Sequence, residues 1–272
     1  MNLALIRNFR NYLHYSKIGF VNILAFRLRY YTGIITYLIN VTVYYYIWKA
    51  LYATDANFAQ GYSFDDIVTY IAVGWMIRSV YFNNIDQVMA SEVLEGRIAL
   101  TLLKPVSVQT VYLGRALGES AFRFLLLTIP AAVVISLIFP VQFPTSNTQV
   151  VIFALSLSLS ILIVAAMNFI VGSFAIRMKS ILGLIRAKFY IQELLSGLLL
   201  PISMLPGVAR KIVSFLPFEH IAYTPLQIYL GKVTENQLFA LLFLQLLWVI
   251  ILITVGRMLW KVMIRKLTIQ GG

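Results

Sequence analysis

Cysteine is absent from these 272 residues, which excludes a disulfide framework, a thiolate metal site and a cysteine nucleophile. Charge is scarce as well: Asp, Glu, Lys and Arg make up 12% of the chain, against about 25% in soluble domains. Histidine occurs twice, as the well-separated His14 and His220, so no metal-ligand spacing stands out and no metal site is expected. The phosphate loop G-x-x-x-x-G-K-[S/T] is missing, so this chain should not hydrolyse ATP in the P-loop manner. GxSxG and HExxH are missing too. No catalytic residue is expected, and the chain is read as neither an enzyme in its own right nor the holder of a cofactor.

What is there is apolar. Hydrophobic residues make up 60% of the chain, at a mean hydropathy of +0.84. So little polar surface cannot coat a soluble globule of this size, and a bilayer is the solvent that accepts it. Near-uncharged runs suggest six spans, at about 32–52, 66–88, 122–143, 149–176, 181–205 and 237–260. The start, "MNLALIRNFRNYLHYSKIGF", lacks the uninterrupted apolar core of a removable signal peptide. Leu5, Phe9, Tyr12 and Leu13 line one side of a helix there, with Arg7, Arg10 and Lys17 around the rest, as an interfacial helix over 1–31 would require.

The net charge of +12 does not point to nucleic acid, because the cations fall between spans rather than on one solvated face. Arg7, Arg10, Lys17, Arg27 and Arg29 precede the first span. Arg97, Lys104, Arg115 and Arg123 follow the second, Arg177, Lys179, Arg186 and Lys188 follow the fourth, and Arg257, Lys261, Arg265 and Lys266 end the chain. The positive-inside rule then places both termini in the cytoplasm. Lys49, Arg210, Lys211 and Lys232 are left on the other face.

On this topology 89–121 is the longest internal cytoplasmic loop, and it holds a short charged stretch, "EVLEGRIALTLLKPVS" (92–107). Val93, Leu94, Ile98, Leu102 and Leu103 recur at spacings that suit a short amphipathic helix, with Gly96 permitting a bend and Pro105 a break. Such a helix either rests on lipid or docks a soluble partner. On the opposite side, 201–232 is apolar but punctuated by Pro201, Pro206, Gly207, Pro217 and Pro225. It cannot be one straight rod. Two short re-entrant helices forming an extracellular gate, or a folded external loop, fit it.

Inside the spans, Arg78 and Glu193 each lie about 18 Å from the outer end, at ~1.5 Å per residue. A pair between them would relieve the cost of burying either alone. Asp86 and Arg123 are placed to form a second brace. Asn168 suits interhelical glue, and Tyr45, in the run Tyr44–Tyr46, suits an aromatic belt or a substrate-contacting surface.

The basic amphipathic start, six spans, charged second loop and Pro-broken segment together resemble a type-2 ABC exporter permease over nearly the whole chain. The sharpest matches are "EVLEGRIALTLLKPVS", similar to that family's E-x-G-x(n)-L-L-x-P-x-S loop, and the ending "RKLTIQGG". The resemblance implies an all-α polytopic membrane protein of the bacterial plasma membrane. It implies a coupling helix that puts Glu92, Glu95, Gly96, Arg97, Leu102, Leu103 and Pro105 against a separate ATPase subunit carrying ATP and Mg. It also implies a second permease, identical or homologous, across a translocation path to which Arg78, Glu193, Asn168 and Tyr45 contribute, and an outer gate at Pro201, Pro206 and Pro217. The cargo would be hydrophobic or amphipathic: a drug, antibiotic, peptide or lipid. Membrane lipid would surround the complex. A secondary transporter, for which no convincing internal repeat is visible, and a non-transporting scaffold are the alternatives.

Overall fold

A computed structural model describes residues 2–24, 27–55, 58–59, 61–178 and 180–265. Lys179 and the ending after Arg265 lie outside the described residues, as do the side chains of Leu5, Arg7, Phe9, Arg10, Arg27 and Arg29. The described secondary structure is helical, with no strand among the described residues. In chain order the helices are α1 (Asn2–Leu24), α2 (Arg27–Thr54), α3 (Phe64–Tyr81), α4 (Ile85–Leu94), α5 (Ile98–Leu102) and α6 (Val108–Arg123). They continue with α7 (Ile129–Ile138), α8 (Asn147–Ser173), α9 (Leu182–Leu195), α10 (Gly207–Ser214), α11 (Tyr223–Tyr229) and α12 (Glu235–Ile264).

Among the described residues, three stretches are long and apolar enough to cross a membrane: Val108–Ile138, Asn147–Ile176 and Glu235–Ile264. Helix starts follow local chemistry. Ser107 and Ser146 accept from Thr110 N and Gln149 N at 3.1 and 3.2 Å. Ser63 and Asp66 form a reciprocal capping box that opens α3. In Val108–Ile138 a single π turn, Phe124–Thr128, joins α6 to α7. Pro130 sits at the start of α7 and has no N–H to donate, and the wide turn absorbs the lost bond while the chain stays helical.

α8 is the central post. It packs against α12, α4, α11, α6 and α3, and buried Ile163, Val164, Ala166 and Phe169 make it part of the core. Polar ties run through this core where water is excluded. Fully buried Gln245 of α12 donates to His220 O at 2.9 Å and accepts from Ser156 Oγ at 2.9 Å. Ser160 Oγ adds a bond to His220 O at 3.0 Å. α1 lies across α6 where Gly19, Gly114 and Gly118 let two backbones touch: a β-carbon on Gly118 would stand 1.8 Å from Ser16 O. Ser16 Oγ donates to Gly114 O at 3.0 Å across the same crossing.

Several expected boundaries shift. The second expected span is two helices, because α3 ends at Tyr81, extended Phe82 turns the chain, and Asn84 begins α4. The fifth expected span, 181–205, holds a helix of only 14 residues, since Gly197 at φ +78° breaks it and Pro201 starts a 3-10 turn. The expected loop 89–121 is largely helical. α6 begins at Val108, and its Glu119 and Arg123, which break the hydropathy, satisfy each other at 2.6 Å.

Candidate functional site

The polar residues gather in four places along the helical body. At the Asp86 end, α4, α5 and the start of α6 form a tight hairpin. Gly96, at φ +71°, turns the chain between α4 and α5. Glu92 is 9% exposed, and its carboxylate accepts from Tyr112 Oη at 2.5 Å and from Arg115 Nη1 at 2.7 Å. Glu92, expected at a partner contact, faces inward here and braces the hairpin. Leu102 is half-buried and packs with buried Ile98 against Met89 and Tyr112. Glu95, Gly96, Arg97, Leu103 and Pro105 are all exposed. Glu95 and Arg97 pair with each other at 2.5 Å on the tip. Around them Leu94, Leu100 and Leu103 are 68%, 64% and 82% exposed, an apolar knob with a charged centre. Leu100 is the member that the sequence pattern did not single out.

The second place is the last turn of α3. Arg78 Nε donates to Glu193 Oε1 and Oε2 at 2.9 and 3.1 Å, so the expected pair is present. Its guanidinium also lies over the rings of Trp75, Phe82 and Phe189 at 5.2, 5.5 and 5.7 Å. Tyr44 packs on Trp75 here. Tyr45 does not join this group; it lies in an aromatic cluster with Phe64 and Phe139.

The third place lies at the α3–α4 break. Lys188 Nζ donates to Asp86 Oδ2 at 2.8 Å and to Asn168 Oδ1. Asn168 Nδ2 in turn donates to Asn83 O and Oδ1, both at 2.8 Å. The expected Asp86–Arg123 brace is therefore replaced: Asp86 takes Lys188 and Arg123 takes Glu119. A cavity of about 230 Å³ opens beside this network, lined by Phe82, Gln87, Arg186 and Tyr190 among others. Asn168 is thus an interhelical tie, separate from the Arg78–Glu193 pair. Two ion pairs, from Lys188 and Glu193, clasp the short helix α9 to α4 and α3, while its Leu182, Tyr190, Ile191 and Leu194 stay exposed.

The fourth place is the segment between α9 and α12. Pro201 and Pro206 precede a 3-10 turn and α10, and Pro217 is buried in the turn before α11. Pro201 is buried and Pro206 exposed. The segment is anchored by Tyr70 Oη donating to Gly197 O, Tyr223 N donating to Ser196 O at 2.9 Å, and Gln149 Nε2 donating to Tyr229 O at 2.7 Å. At the same end Lys232 Nζ reaches Asp66 Oδ2 and Gly61 O, both at 2.8 Å. No group of acids and histidines placed to hold a metal occurs among the described residues.

The family described as "ABC-2 family transporter protein" matches residues 38–271. The chain belongs to that family. No curated protein sequence matches it. ABC-2 transporter chains are membrane components and not themselves catalytic, which agrees with the three apolar helices and the missing phosphate loop. The match begins inside α2, so α1 lies outside it.

Proposed function

We propose that this ABC-2 family chain is the transmembrane permease subunit of an ATP-driven exporter in the bacterial plasma membrane, with six spans and both termini in the cytoplasm. A separate nucleotide-binding subunit supplies ATP and Mg. A second permease, identical or homologous, completes the translocation path. α2, α3 with α4, α6 with α7, α8, α9 with the turns after it, and α12 are the spans.

The observation that carries the reading is the hairpin at 92–107. Its inner side is fixed by Glu92, Tyr112 and Arg115, while its outer side presents Leu94, Leu100 and Leu103 around the Glu95–Arg97 pair. An apolar knob of this kind, backed by a rigid brace, suits insertion into a cleft of a soluble subunit. The brace passes the push to α6, and α4 passes it through Asp86 to Lys188 on α9. The exposed apolar face of α2, with Ile35, Ile39, Val43 and Tyr46, and that of α9 supply the wall that a second permease would face. The apolar character of these walls favours hydrophobic or amphipathic cargo: drug, antibiotic, peptide or lipid. The segment 201–232, broken at Pro201, Pro206 and Pro217, is the extracellular gate.

The test is purification of the tagged chain co-expressed with its neighbouring genes, followed by identification of bound subunits and an ATPase assay. An associated ATPase is expected with wild type, and Glu95→Arg should reduce both its association and its activity at least tenfold. A chain that purifies alone from every co-expression would overturn the reading and favour a secondary transporter.

A further inference from the structure

The positive-inside pattern leaves Arg210 unexplained, and the transport reading gives it no task. Arg210 of α10 lines a cavity of about 340 Å³ with Glu219, Gln227, Lys232, Gln237 and Leu241. The cavity lies between α10, the turn before α11, and the first turns of α12.

The charges in its wall do not satisfy one another. Glu219 accepts no hydrogen bond from any described residue at its carboxylate, and its Oε2 is buried without a partner. Lys232, the other cation in the lining, is already committed to Asp66, Gly61 O and the face of Tyr62. Arg210 forms no ion pair among the described residues. Burial raises the Glu219 carboxyl above its ordinary value, and the field of Arg210 only partly lowers it again. A buried acceptor without a donor and a cation without a counter-ion, on walls of one cavity, ask for a ligand that carries both charges.

The remaining surroundings are those of a lipid. The α12 wall includes Ala240 and Leu241, next to the exposed Phe239 and Phe243. α10 presents Val208, Ile212 and Phe215 at 75%, 59% and 80% exposure, one apolar stripe at helical spacing beside Arg210 and Lys211. A helix of that pattern lies in an interface with its apolar side in acyl chains. The cavity thus sits where a headgroup would be held while its chains run along α12.

We propose that this cavity binds a zwitterionic phospholipid headgroup of the ethanolamine type, with the ammonium on Glu219 and the phosphate on Arg210. Gln237, whose carbonyl accepts from Thr234 N at 3.3 Å, keeps its amide nitrogen as a second phosphate donor. The proposal rests on the reading that 201–232 faces the outer leaflet, and it assigns that segment a lipid which holds α10 to α12.

Thermal unfolding of the purified chain in detergent, with ethanolamine, glycerol or choline phospholipid added, tests this. With wild type, ethanolamine lipid should raise the midpoint by about 5 °C more than glycerol or choline lipid, the shift expected for a ligand held well above its dissociation constant. Glu219→Gln should remove that preference, Arg210→Gln should remove stabilisation by all three lipids, and Lys211→Gln should change neither. Equal midpoints for the three lipids with wild type, or a preference that survives Glu219→Gln, would overturn the site. Free phosphoethanolamine matching the lipid at equal concentration would overturn its assignment to a membrane lipid. Because the chain has no cysteine, Ser214→Cys, at an exposed position of α10 off its apolar stripe, labelled on intact cells by an impermeant maleimide reports the side of the membrane by itself. Protection of that thiol would sink the outer placement even if the lipid preference held.

Discussion

Arg78 and Glu193 show what depth alone reveals. Counting residues from the span ends puts both near mid-membrane, and the structure joins them at 2.9 Å with side chains 16% and 12% exposed. Removing one partner strands a charge, at a cost of about 3–5 kcal/mol, whereas replacing both with apolar groups of similar volume is close to neutral. Arg78→Met should therefore lower the melting midpoint of the purified protein markedly, and Arg78→Met with Glu193→Met should recover most of the loss. The exposed Arg97–Glu95 pair is the contrast, since each side chain is more than half exposed. Arg97→Gln should leave the midpoint unchanged within the scatter of repeat measurements. Depth carries no azimuth, which is why Asp86 could be matched in sequence to Arg123 at the same level. In three dimensions Lys188, from a helix distant in sequence, reaches Asp86 first at 2.8 Å. Glu92 is a related case: the resemblance implies a partner contact for it, but Tyr112 and Arg115 cover it once α6 folds back.

Among the elements, the crossing of α1 on α6 depends on three glycines that hydropathy does not weigh. "GRALG" at 114–118 is the small-xxx-small pattern of close helix packing, and that spacing was the available signal. Gly118→Leu places a side chain where Ser16 O now lies, 1.8 Å from the β-carbon position, and the obstruction is backbone that cannot swing away. Hydrogen exchange across 11–22 should rise at least tenfold in that variant while exchange in α8 stays as it was. Gly183→Ala, whose β-carbon meets nothing within 4 Å, should alter neither. The remaining element boundaries were legible where caps and prolines mark them, as at Ser107, Ser146 and Pro201. They were blurred where a polar residue on a buried helix, such as Glu119, looks like the edge of a loop.

At the scale of the whole molecule, composition alone placed the chain in a bilayer, and the longest apolar runs became the helices Val108–Ile138, Asn147–Ile176 and Glu235–Ile264. The relation between the knob at Leu103 and the brace at Glu92 was not legible, because it depends on which side of one hairpin meets α6. It separates two outcomes in the assembled complex. Leu103→Asp should weaken capture of an ATPase subunit at least tenfold with an unchanged melting midpoint, because the side chain is 82% exposed. Glu92→Leu, which leaves Arg115 without its carboxylate, should lower the midpoint itself. The π turn at Phe124–Thr128 bears on the body as a whole. It amounts to one inserted residue in an otherwise regular helix, taken up because each residue of the wide turn advances the azimuth by less than the about 100° of an α-helix. The faces on either side therefore keep their alignment, and excising Leu125 would return plain winding with Ala131 and Ile135 still turned toward Val41, Val68 and Ala72. What the excision would remove is the slack around Pro130, whose ring would then meet the carbonyl one turn before it.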